Sequence, residues 1–573
     1  MDVNELLNFK PKMAPKRPLN TVEDEYEDNP DETYEMRAAK KLKAKSAAKK
    51  RLEEERLAVL EAEVEQQSRK NPSVENDDDD DEVMEDEDRG LDDELNESKL
   101  KKIVLTFEKK TLKNQELRIK YPDSPEKFMD SEVNLHDSVQ DLRIIATAPY
   151  LYPALVNLQI IPSLLGLLSH ENSDISIAVI DLIQELTDID TLHESQDGAD
   201  ALIQTLSNNQ IAPLLVQNLE RLSTLSDDDN DGIHNTLAII ENLIEFRPQM
   251  CREAVDAGIL VWLTKRLKVR IEFDANKLYA SEILSILLQH EEKNRATFGE
   301  MNGAIDSMLQ QLAFYKRHEP NSVEENEMLE NVFDCLCSLL LHAPNRDRFL
   351  KGEGLQLMNL MLREKKSSRN GALKVLTHAL SGHQGKDCCN KLVDVLGLRT
   401  IFPLFMKTPK KSKRKGVTAD EHEERTVSIV SSLLRNIRTG TQRQRLLAKF
   451  TENDFEKVDR LLEMHFKYLE KVDATERLLL RQKEDLDEDE TYLRRLEGGL
   501  FTLQLVDYII MEICCNSGAS TSNIKARVHQ ILNQRNANVK TIRNIVREYA
   551  GNLGQEQEGE SDKQHLLQLV DKF

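Results

Sequence analysis

The sequence predicts an all-α fold in which helices stack into a superhelical solenoid, and three observations predict it. Composition is the first: of 573 residues only 21 are glycine, 5% are aromatic and 31% are charged. A chain so rich in leucine, lysine and glutamate favours helix over sheet. The second observation is local. Residues 160–168 read IIPSLLGLL, with Pro162 in the first turn, where its missing N–H would go unbonded anyway. After a cap at Asn172, the residues Ile175, Ala178, Leu182 and Leu186 follow at helical spacing, and Val179 and Ile183 widen the stripe. A helix that apolar is sandwiched between neighbours. The third observation is repetition. An apolar residue with Gly or Pro ahead of an apolar helix recurs at 211–213, 257–259, 302–305, 352–355 and 396–398. The spacing, roughly 43 to 51 residues, fits the armadillo/HEAT period with loop insertions. Each opening is followed by a second apolar helix, at 235–246, 275–289, 325–341, 369–380 and 423–437. One such unit cannot bury its faces alone, whereas about six stacked units can.

The flanks divide the chain further. Residues 1–98 carry a basic run at 40–51, and from Glu75 to Glu97 acidic residues outnumber basic ones fifteen to one. So few apolar anchors cannot offset the entropy of ordering, which predicts a disordered tail. Residues 99–157 hold helical segments at 100–106 and 135–146, expected to cap the first repeat. The repeats then occupy 158–441, and amphipathic helices in 442–573 form a C-terminal cap.

Charge and chemistry narrow the function. A net charge of −24 argues against bare nucleic acid and for basic partners. The seven cysteines form no disulfide framework, and the pairs Cys335/Cys337, Cys388/Cys389 and Cys514/Cys515 lack the spacing of a zinc site. Cys335 and Cys337 fall within an apolar helix, as core residues would. The apolar stretch 505–515 is broken by Asp507 and Glu512 and falls well short of the ~20 residues a bilayer span needs, so no membrane role is expected. Position 197, an aspartate, excludes a His-Glu-x-x-His pair beginning at His193. His378 and His383 have no ligand-spaced carboxylate. No phosphate loop, dinucleotide fingerprint or catalytic set is present, and neither enzyme activity nor a cofactor or metal is expected.

Binding is the remaining class. In such an array the last helix of each repeat lines a concave surface, where positions i and i+4 share one face. Aligning the apolar stripes places Asp181/Glu185, Ala238/Asn242, Glu282/Ile286, Asp334/Ser338, Lys374/His378 and Ser432/Asn436 there, with Glu241 and Glu245 close by. The first four repeats are then acidic and suited to a lysine- or arginine-rich segment. Two basic clusters have the character of nuclear import signals. One comprises Lys16 and Arg17 with Lys40, Lys41, Lys43, Lys49, Lys50 and Arg51. The other is Lys410, Lys411, Lys413, Arg414 and Lys415 after Pro409. A nuclear location follows.

Longer words in the sequence are family-specific: 105–110 (LTFEKK), 114–120 (NQELRIK), 125–129 (PEKFM), 185–195 (ELTDIDTLHES), 273–279 (FDANKLY), 348–366 (RFLKGEGLQLMNLMLREKK), 450–454 (FTEND) and 465–469 (HFKYL). From about residue 99 to the C-terminus the chain resembles the beta-catenin-like family of nuclear, spliceosome-associated armadillo-repeat proteins. The resemblance implies a splicing scaffold among the proteins of the U-box ligase and Myb-protein complex. It also implies binding to the basic nuclear-localisation segments of such partners, and self-association as a homodimer. A cytidine deaminase that binds vertebrate relatives is not carried over. The alternative is a transport adaptor of the importin-alpha type. Its groove relies on tryptophans that hold lysine and arginine stems, and here the one tryptophan, Trp262, lies on the preceding helix.

Overall fold

The computed structural model describes residues 95–573, apart from 225, 365, 409–417, 483–486, 517 and 554–556, and before them Ala58 alone. The tail up to residue 94 and both basic clusters lie outside the described residues.

Helix α1 (Glu97–Lys120) begins inside the segment assigned to the tail. Asn96 caps it by accepting the Lys99 N–H at 2.9 Å. Leu95 and Leu100, at the positions of a hydrophobic staple, are both buried. The run of acids around them hid this start. The helix is also continuous for 24 residues, well beyond the expected 100–106. After α2 (Met129–Asp141) the chain tightens into a 3-10 turn, Leu142–Thr147, rather than continuing as α-helix to 146.

Six repeats follow, each with three helical parts rather than the expected two. They are α3 (Tyr152–Asn157), α4 (Ile160–Leu167) and α5 (Ser173–Leu186); then α6 (Ile189–Glu194) with α7 (Gln196–Asn208), α8 (Ile211–Arg221) and α9 (Asp227–Phe246); then α10 (Met250–Asp256), α11 (Ile259–Arg266) and α12 (Ala275–His290). The fourth has α13 (Glu292–Glu300), α14 (Ala304–Tyr315) and α15 (Val323–Leu339). The fifth has α16 (Ala343–Lys351), α17 (Gly354–Arg363) and α18 (Ser368–Leu380), and the sixth α19 (Lys386–Asp394), α20 (Leu398–Met406) and α21 (Ala419–Asn436). The short first helices escaped the sequence reading because six to thirteen residues carry too few turns to show a period.

What marks the repeat is a backbone conformation. Gln159, Gln210, Gly258, Gly303, Glu353 and Leu396 all have positive φ, between 57° and 96°. Each stands just ahead of its repeat's middle helix, or one residue earlier in the sixth. Glycine fills this left-handed corner twice, and elsewhere the packed repeats on either side impose it on larger residues. Gly354 serves a different purpose: a Cβ there would lie 2.1 Å from the Phe349 ring.

The last helices of the repeats form a ladder. Helices α2, α5, α9, α12, α15, α18 and α21 pack in succession. The ladder runs on past the sixth repeat, because α21 packs in turn on α25 (Phe501–Asn516). Helices α22 (Gly440–Ala448) and α23 (Glu456–Gln482) precede this rung, with α24 (Glu488–Arg495) between, so the region expected to be a cap begins as a further repeat-like unit. Then α26 (Thr521–Gln534), α27 (Val539–Gly551) and α28 (Gln557–Lys572) close the end. The stretch Glu488–Asn516 is long and apolar enough to cross a bilayer, contrary to the reading of 505–515 alone, but 78% of its apolar window is buried in the protein's own core. A single hydrophobic core runs from Leu95 to Phe573.

A candidate peptide-binding ridge

From α5 to α18 each ladder helix buries the faces turned to its neighbours and leaves a stripe accessible at helical spacing. On α5 the stripe includes Asp181 and Glu185; on α9, Ala238, Glu241, Asn242 and Glu245. On α12 it includes Glu282 and Ile286; on α15, Glu327, Glu330 and Asp334; on α18, Lys374 and His378. All six aligned pairs therefore begin on the accessible stripe, Ser432 included, but in two of them the second member is buried, Ser338 at 8% and Asn436 at 7% exposure. The Asn436 amide donates to the Leu380 and Gly382 carbonyls at 3.1 and 2.9 Å. It satisfies groups freed at the end of α18, where the helix has no further N–H to offer. The accessible stripe of α21 includes Arg425, Ser428, Ser432 and Arg435.

The carboxylates on the ridge differ in what compensates them. Glu185 is held by the Arg143 guanidinium, whose Nε donates at 2.9 Å, and Asp334 is ion-paired to Lys374. Asp181 accepts from Asn235 Nδ2 at 2.8 Å, and burial raises its carboxyl above the ordinary range. Glu241 accepts from the Tyr279 hydroxyl at 2.5 Å. Glu282 has no cationic partner among the described residues. Burial raises its carboxyl, and the neighbouring charges of Glu327 and Glu241 raise it further. A half-buried carboxylate among like charges is a place where an incoming ammonium or guanidinium gains most.

Sequence reasoning missed Glu327, Glu330 and Arg143. A rule of two positions per helix stops short on α15, whose stripe continues back from Asp334 at i−4 and i−7. Arg143 comes from the 3-10 turn after α2, outside the repeats altogether. Towards the C-terminal end the ridge turns basic, with Lys374 and Arg425 beside His378, whose imidazole pKa is lowered by burial and by Lys374. Trp262 is off the ridge: it sits on α11, and its indole N–H donates to the Leu219 carbonyl at 3.1 Å. Six of the cysteines are buried in the core and Cys515 packs half-buried against it. Burial pushes the Cys251 thiol up to about 11 and those of Cys337 and Cys389 to about 12.

Comparison with known proteins fits this architecture. The profile of the family described as "Catenin-beta-like, Arm-motif containing nuclear" matches residues 78–547. Beta-catenin-like protein 1 of Mus musculus is 57% identical over 492 residues, covering 84% of this chain and 86% of its own. The beta-catenin-like protein 1 homolog of Schizosaccharomyces pombe is 33% identical over 437 residues, covering 75% of each chain. A solved chain from work on a phosphorylation switch between cadherin and beta-catenin superposes with a TM-score of 0.47 at 12% identity, over 83% of this chain and 91% of that one. An armadillo-repeat protein by fold, this chain belongs to the catenin-beta-like, Arm-motif-containing nuclear family.

Proposed function

We propose that the chain is a non-enzymatic nuclear scaffold of the pre-mRNA splicing machinery, and that its ridge binds lysine- and arginine-rich localisation segments of partner proteins. Family membership supports the nuclear setting. The observation that carries the binding reading is the set of carboxylates around α12. Glu282 has no cationic partner among the described residues and lies near Glu241 and Glu327, so its charge is disfavoured until a cation arrives. A transport adaptor built on a tryptophan ladder is disfavoured by the placement of Trp262, whose indole is tied to the neighbouring repeat's middle helix.

Each partly exposed pair contributes on the order of 0.5–1 kcal/mol, less at high salt. Reversing two carboxylates replaces attraction by repulsion, and the double variant Glu282→Lys/Glu327→Lys is expected to weaken a fluorescent basic peptide by about 30-fold or more. Neither residue belongs to the core, so melting stays near wild type. The same variant, used as bait in nuclear extract, should lose splicing proteins that wild type retains. Equal and salt-insensitive peptide affinities would place the binding surface elsewhere.

A further inference from the structure

The N-terminal end of the ridge opens into a cleft of about 550 Å³ between α2, α5 and α9, and of the aligned positions only Asp181 reaches it. Its lining mixes two chemistries. Met129 and Val133 of α2 are 59% and 56% exposed, and with Ile177 of α5 they supply apolar surface. The same lining holds Asp174 and Asp181 of α5 and Asp228 and Asp231 of α9. Glu132, also in the lining, is already committed, ion-paired with Arg118 and accepting from Asn172 Nδ2 at 3.0 Å. Asp174, Asp228 and Asp231 have no cationic partner among the described residues. Asp174 and Asp228 occupy the first turns of α5 and α9, where a helix N-terminus favours a carboxylate on its own account. That reason does not extend to Asp231, one turn further on, nor to a methionine and a valine left in water in the same lining.

We propose that this cleft docks a segment of a partner protein in which a lysine or arginine adjoins a large apolar side chain. The apolar group covers Met129 and Val133, and the cation meets Asp228 and Asp231. The inference rests on the basic-segment reading and adds a sequence requirement to it. A purely basic run satisfies the carboxylates around α12 but leaves the apolar surface of α2 in water, whereas removing that surface from water contributes in proportion to the area covered.

Two fluorescein-labelled nonapeptides of equal charge test this on the full-length chain, one with a leucine and one with a serine at the centre of a lysine/arginine run. The leucine peptide is expected to bind about tenfold more tightly. The variant Met129→Ser/Val133→Ser should abolish that preference while keeping wild-type affinity for the serine peptide. Both residues are surface-exposed, and an unchanged thermal melt verifies that the variant folds. Equal affinity for the two peptides, or a preference that survives in the variant, overturns the cleft proposal but leaves the ridge reading standing. If neither peptide binds, both readings fall. Sedimentation supplies the remaining arm: if wild type self-associates and the variant does not, the occupant is a second copy of this chain and the peptide proposal is overturned.

Discussion

The two ends of the helix ladder use polar side chains in opposite ways. Over α5, α9, α12 and α15 the ridge stays open and its charges are only partly matched. Over α25 the same kind of helix is sealed, and between α21 and α25 the buried charges are matched within the fold. Arg443 donates to Glu512 Oε1 at 2.6 Å and to the Leu434 carbonyl at 3.1 Å, and His565 Nε2 lies 3.0 Å from the other oxygen of Glu512. His465 and Asp507 meet at 2.6 Å with both side chains buried. Glu423 collects Thr408, Arg460, Lys467 and Tyr468. Arg435, at the ridge position of α21, donates to the Tyr549 hydroxyl at 2.6 Å and pairs with Asp562, so helices α27 and α28 take up a surface that earlier repeats leave free. A charge on this ladder is architecture where the fold supplies its partner, and stays open to a ligand where it does not.

The largest expected effect breaks the sealed end. Arg443→Ala leaves Glu512, 1% exposed, with only His565 to neutralise it. Removing one member of a buried pair costs about 3–5 kcal/mol, whereas Glu282→Ala on the open ridge should stay within about 0.5 kcal/mol. Urea unfolding of the two variants checks the contrast, and similar losses for both would erase it.

Acid should move the two ends in opposite directions. Burial alone would raise Glu512, but the bonds from His565 and Arg443 hold it below the ordinary carboxylate value of 4.5. Bonds from Lys467, Thr408 and Tyr468 likewise hold Glu423 low against its burial. The stability these depressed groups contribute is present above the unfolded value and is lost as pH falls through the folded one. Glu282 and Asp181 are raised. Their ionised forms are a penalty above the folded value, relieved as pH falls towards the unfolded one. On acidification hydrogen exchange should therefore slow over α5 and α12 as pH falls towards the unfolded carboxylate values, quicken over α21 and α25 only below them, and lose that acid response at α25 in Glu512→Gln.

How much of this was legible follows from the same distinction. The apolar stripes of α5, α12 and α15 are set by burial on nearly all sides, and a run such as Ile175 to Leu186 announces that in one dimension. The first member of each aligned pair could be phased from it. Asn436 could not, because the reason for its burial lies in the freed carbonyls of Leu380 and Gly382 more than fifty residues away. The neutralisation of Glu185 was equally invisible: Arg143 precedes it by 42 residues and reaches it only because the 3-10 turn after α2 brings it round to α5. Glu353 and Leu396 adopt the left-handed corner against their own preference, so a reading keyed to glycine found the phase but assigned it to the wrong residue.

The smallest expected effect is a gain, and it separates masked from free carboxylates. If Glu185 and Asp334 are withheld from ligands by Arg143 and Lys374, then removing those cations should release them. Arg143→Gln and Lys374→Gln each convert a matched pair into an accessible carboxylate on the ridge. Both pairs are a third or more exposed on at least one side, so each newly freed charge contributes about 0.5–1 kcal/mol to a basic ligand, or roughly two- to fivefold in affinity. The gain should shrink at high salt, since exposed charges are screened. Adding Glu185→Gln to Arg143→Gln should return affinity to the wild-type value, because net charge and available carboxylates are both restored to the starting balance. Titration of one basic peptide into wild type, the two single variants and the double variant decides it. Tighter binding that persists in the double variant would mean that Arg143 itself repels the ligand, and that Glu185 takes no part.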